Sequence, residues 1–315
     1  MRARHVFRVL SLAGLTFMSL ALASCSSTPK RQAAILVVKN DAAEFSRLAD
    51  GFLSSGQLSS ALQYYGEALK ANLSVDNVEG AIAARGALGK TYLVLGSLPD
   101  AERELGDALT DARAFNKGSL VALCLSNLGE LRYASGDIDA ADSLFLEAQE
   151  LAASDGDVAA LVSHNRGVVA MARGEYAIAE VLFLKAAAAN EKAQRWVELG
   201  SNRYSLASLA NSSGDVDKAI DWAGKALEAD KRAENAPGIG ADLEALARLQ
   251  RKVKNDEVAF DFYRRAFGLW LSLDREPEAE RCLIALQELA TSLGKASYAS
   301  RYEELLSRLD ERQIP

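Results

Sequence analysis

Few side chains in this sequence have the chemistry of a catalytic or metal site. The 315 residues include two histidines, His5 and His164, and three cysteines, Cys25, Cys124 and Cys282. A histidine-rich metal site is therefore excluded. A catalytic nucleophile also needs a base and an orienting acid, and no spacing in the chain indicates such a set. We expect no enzymatic activity, no metal and no cofactor, and we assign His164 to a surface or partner-contacting position on a helix.

The net charge of the chain makes a nucleic acid an unfavourable partner. Lys and Arg number 36 against 43 Asp and Glu, which gives a formal net charge of −7. A nucleic acid or another phosphate-rich surface would repel such a chain, so we expect no nucleic acid partner. Apolar residues make up 49% and charged residues 25% of the chain, as in an ordinary folded protein.

The first 25 residues have the order of an export signal. Residues 1–8 hold three arginines and no acidic residue, and residues 9–22 are almost wholly apolar. Small residues then follow up to Cys25. This succession of charged, apolar and small residues is typical of a secretory signal. The apolar stretch would be roughly 21 Å long as a helix, which is short for a bilayer core of about 30 Å, so a permanent transmembrane helix is the weaker interpretation.

The peptide Leu22–Cys25 resembles the bacterial lipobox, in which the cysteine is acylated and the signal is cut just before it. The resemblance implies a signal peptide at residues 1–24 and a lipid anchor, of the palmitate type, on Cys25. Two or more acyl chains hold a protein stably on a membrane. Ser26 stands where an aspartate would resemble an inner-membrane retention signal, which favours the outer membrane, facing the periplasm. A plain secretory signal with an incidental cysteine is the alternative.

One pattern of residue size recurs seven times along the rest of the chain. The repeats are anchored at Gly56, Gly96, Gly136, Gly174, Gly214, Lys254 and Gly294. Five positions after each anchor there is an alanine, and nine positions after it there is usually a large apolar residue. The anchors are 38 or 40 residues apart. Such a fixed period predicts one repeated supersecondary unit.

Both sides of each anchor show helical spacing. Before the first anchor, Leu48, Ala49 and Phe52 place a tiny residue between two large ones, which is typical of a helix that a second helix approaches closely. The anchor glycine can end this helix in the left-handed conformation, and a polar residue after it can start the next helix. Each repeat is therefore predicted to be helix, turn, helix, and no β-strand pattern competes.

This pattern resembles the tetratricopeptide repeat (TPR), in the long variety of about forty residues found in kinesin light chains. The resemblance covers residues 42–313 and implies an all-α, right-handed α-solenoid of seven helix-turn-helix repeats. The first helices would line a concave groove that holds a segment of another protein. Residues 25–41 are interpreted as a lipidated tether and N-terminal segment. Their apolar run at 33–38 is predicted to be part of a helix packed on the first repeat, with a β-strand offered to a partner as the alternative.

By analogy with that family, certain positions of each first helix face the groove. The candidates from the middle repeats are Lys90, Asn127, Glu130, Tyr133, His164, Asn165, Met171 and Tyr204. Asn127 and Asn165 occupy the same position in adjacent repeats, where an amide can hold a ligand's backbone. Solvated or locally bonded amides are the alternative. The basic residues that clamp a C-terminal carboxylate in some members are replaced here by Ser46, Gly86 and Ser126.

Taken together, the sequence predicts a membrane-anchored scaffold that binds protein or peptide partners in cell-envelope assembly or secretion. The alternative is an accessory transport component that docks a solute-binding protein or cages a small apolar ligand between Tyr133, Met171 and Tyr204. Cys124 and Cys282 are predicted to be buried and unpaired. The basic cluster of Arg248, Arg251, Lys252 and Lys254 is interpreted as a solvated face, with an acidic partner segment as the alternative.

Overall fold

The computed structural model describes residues 30–152 and 155–312, and these residues form fourteen helices and no strand. The helices are α1 (Lys30–Ser54), α2 (Leu58–Ser74), α3 (Val78–Leu95), α4 (Leu98–Phe115), α5 (Gly118–Ala134), α6 (Ile138–Leu151), α7 (Gly156–Ala172), α8 (Tyr176–Lys192), α9 (Trp196–Ser212), α10 (Val216–Arg232), α11 (Ala236–Lys252), α12 (Asp256–Ser272), α13 (Glu276–Ser292) and α14 (Ala296–Arg312). The predicted all-α architecture is confirmed.

Consecutive helices pack against one another along the whole stack, so each odd-numbered helix and the even-numbered helix after it form one repeat. Odd-numbered helices of successive repeats also contact one another. The odd-numbered helices thus form one layer and the even-numbered helices the other. This is the predicted solenoid of seven helix-turn-helix units.

The seven anchor residues all sit in the left-handed turns that separate the two helices of a repeat. The six anchor glycines have φ between 69° and 85°, and Lys254 has φ of 61°. Because a left-handed backbone costs a residue with a side chain roughly 1 to 2 kcal/mol, glycine is the usual residue here. The next helix is capped in two repeats by the aspartate that follows the anchor, at Asp137 and Asp215, each accepting from a backbone N–H.

The recurring alanines lie in the core. In the first six repeats the alanine five residues after the anchor is fully buried, and in the last repeat Ala299 is partly buried because no further repeat covers it. The inner helices approach closely as predicted. A Cβ added to Gly129 would lie 2.5 Å from the ring of Phe145, which comes from the outer helix of the same repeat.

The N-terminal helix differs from expectation. Helix α1 runs unbroken for 25 residues, so the predicted start of the repeat domain at residue 42 falls inside a helix. Because α2 has only 17 residues, it cannot cover the first part of α1. Ile35, Leu36 and Val37 are therefore exposed, so the run is helical as predicted but the expectation that it packs on the first repeat is wrong for these residues. The run is helical, so the strand alternative is also wrong.

Several other expectations concern the cysteines and the membrane. Cys124 and Cys282 are unpaired and buried, as predicted. Burial raises the pKa of each thiol to about 12. Cys25 and the signal segment lie outside the described residues. None of the helices in the described part of the chain combines the length and apolar character needed to span a bilayer.

The start of the seventh repeat lies close to the first repeat. The two contacting residues are 221 positions apart in the sequence. The Arg275 guanidinium, at the start of α13, lies 3.5 Å from the carbonyl oxygen of Ser54, at the end of α1. The Arg275 side chain also contacts Gly56 in the α1–α2 turn. Arg275 pairs with Glu278, and this hydrogen bond lowers the pKa of that carboxyl. The connection between the sixth and seventh repeats thus meets the first repeat, and the superhelix closes about one turn.

Candidate binding groove

A cavity of about 550 Å³ opens on the odd-numbered helices in the middle of the stack. Helices α5, α7 and α9 supply most of its wall. Its apolar lining includes Leu123, Val158, Leu161 and Val197, and its polar lining includes Glu130, His164, Asn165, Glu198 and Asn202. The cavity therefore joins three of the predicted groove residues, Glu130, His164 and Asn165, with residues that the sequence analysis did not select.

The first polar row in the cavity centres on Glu130. Its Oε2 atom lies 3.1 Å from Lys90 Nζ on α3, and its Oε1 atom accepts a hydrogen bond of 2.9 Å from the Asn165 amide on α7. The same amide lies 3.0 Å from Ser126 Oγ on α5. One carboxylate thus links three consecutive inner helices. The Asn165 amide therefore donates its hydrogen bonds within the protein, as in the alternative interpretation of locally bonded amides.

The second polar row centres on Asn202, in the first half of α9. Its amide nitrogen lies 2.8 Å from Nδ1 of His164, and its carbonyl oxygen accepts a bond of 2.7 Å from the Asn190 amide. An amide nitrogen only donates, so Nδ1 accepts and the imidazole proton sits on Nε2. Burial lowers the pKa of His164, and the nearby Glu130 carboxylate opposes this shift. The histidine is therefore neutral at pH 7 and ready to bond a ligand without adding charge.

The remaining predicted groove residues lie outside this cavity. Asn127 is buried on α5 and points at α3, where a Cβ on Gly86 would be 3.2 Å from its amide nitrogen. Tyr133 packs on the core of the second and third repeats, and Met171 packs on a separate cluster with Phe183. Tyr204 lines another hollow, of about 170 Å³. Tyr133, Met171 and Tyr204 thus do not enclose one apolar cage.

The predicted basic cluster borders that second hollow. Arg248 and Lys252 line it together with Tyr204. Arg248 lies 3.3 Å from the buried carboxylate of Glu244, and Lys252 donates to Asn211 at 2.6 Å. Arg251 pairs with Glu288 at 3.2 Å. All four basic residues are exposed, as expected of a solvated face, and Arg248, Arg251 and Lys252 also bond neighbouring side chains.

The charge of the groove changes along its length. Around the main cavity stand Glu130 and Glu198, with Asp157 paired to Arg195, so carboxylates outnumber cations there. Around the second hollow the cations dominate. The described residues hold no group of three or more His, Cys, Asp or Glu placed to bind a metal. The inner surface thus combines carboxylate, amide and basic groups with apolar side chains.

Comparisons with known proteins identify the architecture. No family model and no curated protein matches the sequence. Among solved structures, a Rap protein complexed with competence and sporulation factor aligns with a TM-score of 0.61 and 17% identity, over 85% of this chain and 74% of that one. A signal-transduction ATPase from Pyrococcus horikoshii with a tetratricopeptide-repeat sensor aligns at 0.60 and 17%, over 89% of this chain and 45% of that one. This chain has the tetratricopeptide-repeat fold.

A third TPR-like neighbour is PilF from Pseudomonas aeruginosa, with a TM-score of 0.52 and 19% identity over 74% of this chain and 93% of that one. At these identities the likeness concerns the fold. In a TPR solenoid the layer of first helices forms the inner wall, so the main cavity and the second hollow both lie on the inner side of the superhelix.

Sequence reasoning missed Asn202 and Asn190 for a simple reason. Asn202 lies two positions before Tyr204, the nearest of the predicted groove residues. Asn190 belongs to the last turn of an outer helix, whereas the groove is predicted on the first helices of the repeats. The sequence did contain a signal for Asn202. It follows His164 by 38 residues, close to the repeat period, so the two side chains lie on the first helices of adjacent repeats.

Proposed function

We propose that this protein is a TPR scaffold without enzymatic activity, which binds a segment of a partner protein in its concave groove at the bacterial cell envelope. The main cavity carries this proposal. The Nε2–H of His164 and the exposed Glu198 carboxylate can bond the backbone of an extended segment, while Leu123, Leu161 and Val197 can receive apolar side chains. One structural neighbour of the same fold, the Rap protein, was crystallised complexed with competence and sporulation factor.

We further propose that lipid on Cys25 tethers the scaffold to the outer membrane, where it faces the periplasm. The support is the lipobox-like peptide Leu22–Cys25, which follows a charged and then apolar leader. A tether confines the groove to the membrane surface and raises its effective concentration for partners anchored nearby. A partner in envelope assembly or secretion fits this placement.

A photoreactive residue in the cavity tests the binding proposal. Val197 is 45% exposed and lines the cavity, whereas Val258 is also 45% exposed but lies on the outer helix α12. The two positions therefore match in residue type and exposure. In living cells we expect a defined protein adduct from position 197 and none from position 258.

The adduct should depend on the polar groups of the cavity. Glu198 is exposed at its rim, so Glu198→Lys changes the charge there without touching the core. We expect this change to weaken the cross-link from position 197. Equal cross-linking from both positions, or an adduct from position 258 alone, would place binding outside the groove and refute the proposal.

The cavity volume also lies in the range of small-molecule sites, and this observation supports the second candidate, an accessory ligand-binding or transport component. Native mass spectrometry of the purified chain distinguishes the two functions. The scaffold proposal expects the mass of the chain with its covalent lipid and no additional small molecule. A retained small molecule that is lost in the Glu198→Lys variant would favour the second candidate.

A further inference from the structure

The outer helix α8 exposes a row of apolar side chains. Ile178 is 52%, Val181 66% and Leu184 41% exposed. The row continues to two exposed alanines. Its members are separated by four, three and four residues, at Ala177, Val181, Leu184 and Ala188. This is the spacing that brings side chains onto one seam of a helix and suits it to pack against another helix.

The repeat fold does not require an apolar residue at the centre of this row. Val181 stands seven residues after its anchor, and the same position in the other six repeats is polar, as Gln63, Arg103, Ser143, Asp221, Asp261 and Arg301. Outer helices in a solenoid already pack on their neighbours through the buried alanines of the opposite face. The exposed Val181 at the centre of the row is therefore specific to the fourth repeat, and the row lies on the opposite side of the helical layers from the groove.

We propose that this row is a self-association surface, on which α8 of a second copy of the chain packs in the parallel direction about a two-fold axis. Two charged residues flank the seam, Glu180 on one side and Lys185 on the other. In a parallel pair, a residue on the first flank faces the residue five positions later on the second flank of the partner helix. Glu180 of each copy then meets Lys185 of the other, twice over.

The antiparallel arrangement lacks this complementarity. It would bring Lys185 beside Ile178 of the second copy and Glu180 beside Ala187. In the isolated chain Glu180 holds Lys218 of α10 at 2.6 Å, whereas Lys185 has no ion pair among the described residues. The small side chains of Ala177 and Ala188 at the two ends of the seam allow the helices to approach closely. Charge and shape thus both favour the parallel pair.

The seam is only about two heptads long, so the dimer is weak. Stable coiled coils sustain the pattern over at least three to four heptads. We therefore expect a weak, reversible dimer whose population rises with the chain concentration. Because the seam and the groove lie on different helical layers, dimerisation leaves the main cavity open.

Sedimentation velocity of the purified full chain over a range of concentrations tests the proposal. The native chain should shift from monomer towards dimer, and Val181→Arg should abolish that shift. The variant should keep its fold, because Arg103 and Arg301 already occupy this position in other repeats, and circular dichroism checks this. Val258→Lys is the matched control on another outer helix, where Lys218 occupies the equivalent position, and it should leave the dimer unchanged.

Two further variants test the orientation, in a Cys25→Ser background so that Cys25 cannot take part in disulfide formation. Ala188→Cys should form an oxidative cross-link to its own position in the second copy, as a parallel pair requires. Lys185→Glu should weaken the dimer at least several-fold, and adding Glu180→Lys should restore it. A chain that stays monomeric at all concentrations, or a dimer that survives Val181→Arg, would overturn the surface. Cross-linking of position 188 only to a cysteine at position 177 would overturn the parallel arrangement.

Discussion

At the scale of single residues, one pair of buried carboxyl groups makes the stability depend on pH. Asp242 on α11 faces Asp230 on α10, and both are almost fully buried. Burial, reinforced by the Asp230 carboxylate, raises the pKa of Asp242 to about 9. Burial also raises the pKa of Asp230, against the hydrogen bond that Asn235 donates to it. At neutral pH Asp242 is thus protonated and hydrogen-bonded to Asp230.

The sign of the pH dependence follows from this proton. Between the unfolded pKa of about 4 and the folded value of about 9, the native chain retains a proton that the unfolded chain loses, so stability falls as pH rises through this window. An asparagine does not ionise, so Asp242→Asn removes this loss of stability at high pH. Its amide N–H can still donate a hydrogen bond to Asp230. We expect its melting temperature to exceed that of the native chain by at least about 2 °C at pH 8, with a smaller difference at pH 5.

Thermal unfolding followed by circular dichroism at both pH values measures this effect. An asparagine is already accommodated at this position in another repeat. Asn202 and Asn190 occupy the positions of Asp242 and Asp230 one repeat earlier, and their side chains form a hydrogen bond of 2.7 Å. A variant that melts below the native chain at pH 8 would show that Asp242 is ionised in the folded protein.

The residue scale is also where sequence reasoning about the site reached its limit. Glu130, His164 and Asn165 could be placed on the inner wall from the repeat register alone. Their partners could not, because hydrogen bonding depends on how far each helix is rotated against its neighbour. Asn165 was expected to offer its amide to a ligand, but the rotation of α7 turns it onto Ser126 and Glu130.

At the scale of helices, the small residues of the inner helices set the distance between the two layers. A Cβ on Gly129 would meet the ring of Phe145 at 2.5 Å, whereas a Cβ on Gly106 of α4 has no neighbour within 4 Å. Gly129→Ala should therefore destabilise the fold by about 1 to 3 kcal/mol through overpacking. Gly106→Ala should stabilise it by about 0.5 to 1 kcal/mol, because alanine is the better helix former.

Urea denaturation of the two variants against the native chain measures both free energies of unfolding. The substitution is the same and both glycines lie inside helices, so the pair isolates the effect of interlayer distance. Equal changes in the two variants would contradict the role given to Gly129.

Helix boundaries were largely predictable because each depends on a local signal. The anchor glycines end the inner helices where expected, and their positive φ angles show why. Helix α1 was not delimited correctly, since no breaker residue separates residues 30–41 from the first repeat. There the sequence offers only an apolar run, which a strand or a helix could equally contain.

At the scale of the whole molecule, the start of the seventh repeat contacts the first repeat. Arg275 joins the α12–α13 connection to the end of α1 near Ser54. Arg275→Ala removes this link while leaving every repeat intact. We expect a larger radius of gyration in small-angle scattering and faster hydrogen exchange in the α1–α2 turn, with an unchanged helical content. Scattering curves that superimpose would show that the repeats alone fix the closure.

This closure was not predictable from the sequence. The repeat pattern defines each unit and its immediate neighbour, but the overall curvature is the sum of small rotations between seven units. An error of a few degrees at each junction would separate Arg275 from Gly56 entirely. The solenoid could therefore be predicted, while the meeting of its ends required coordinates.

The membrane anchor is a separate prediction at this scale. Cys25 lies outside the described residues, so its test is chemical. Cells supplied with labelled palmitate should transfer label to the native chain, and Cys25→Ser should abolish both the label and the recovery of the protein with outer membranes. Label that persists in the Cys25→Ser chain would rule out this cysteine as the attachment site.

The most direct measurement of the central claim is hydrogen exchange of the chain, alone and with the protein captured through position 197. If the inner wall of the solenoid is the binding surface, exchange should slow along the odd-numbered helices α5, α7 and α9, with the even-numbered helices unchanged at the same chain concentration. Slowing confined to the even-numbered helices, or no slowing at all, would contradict the account.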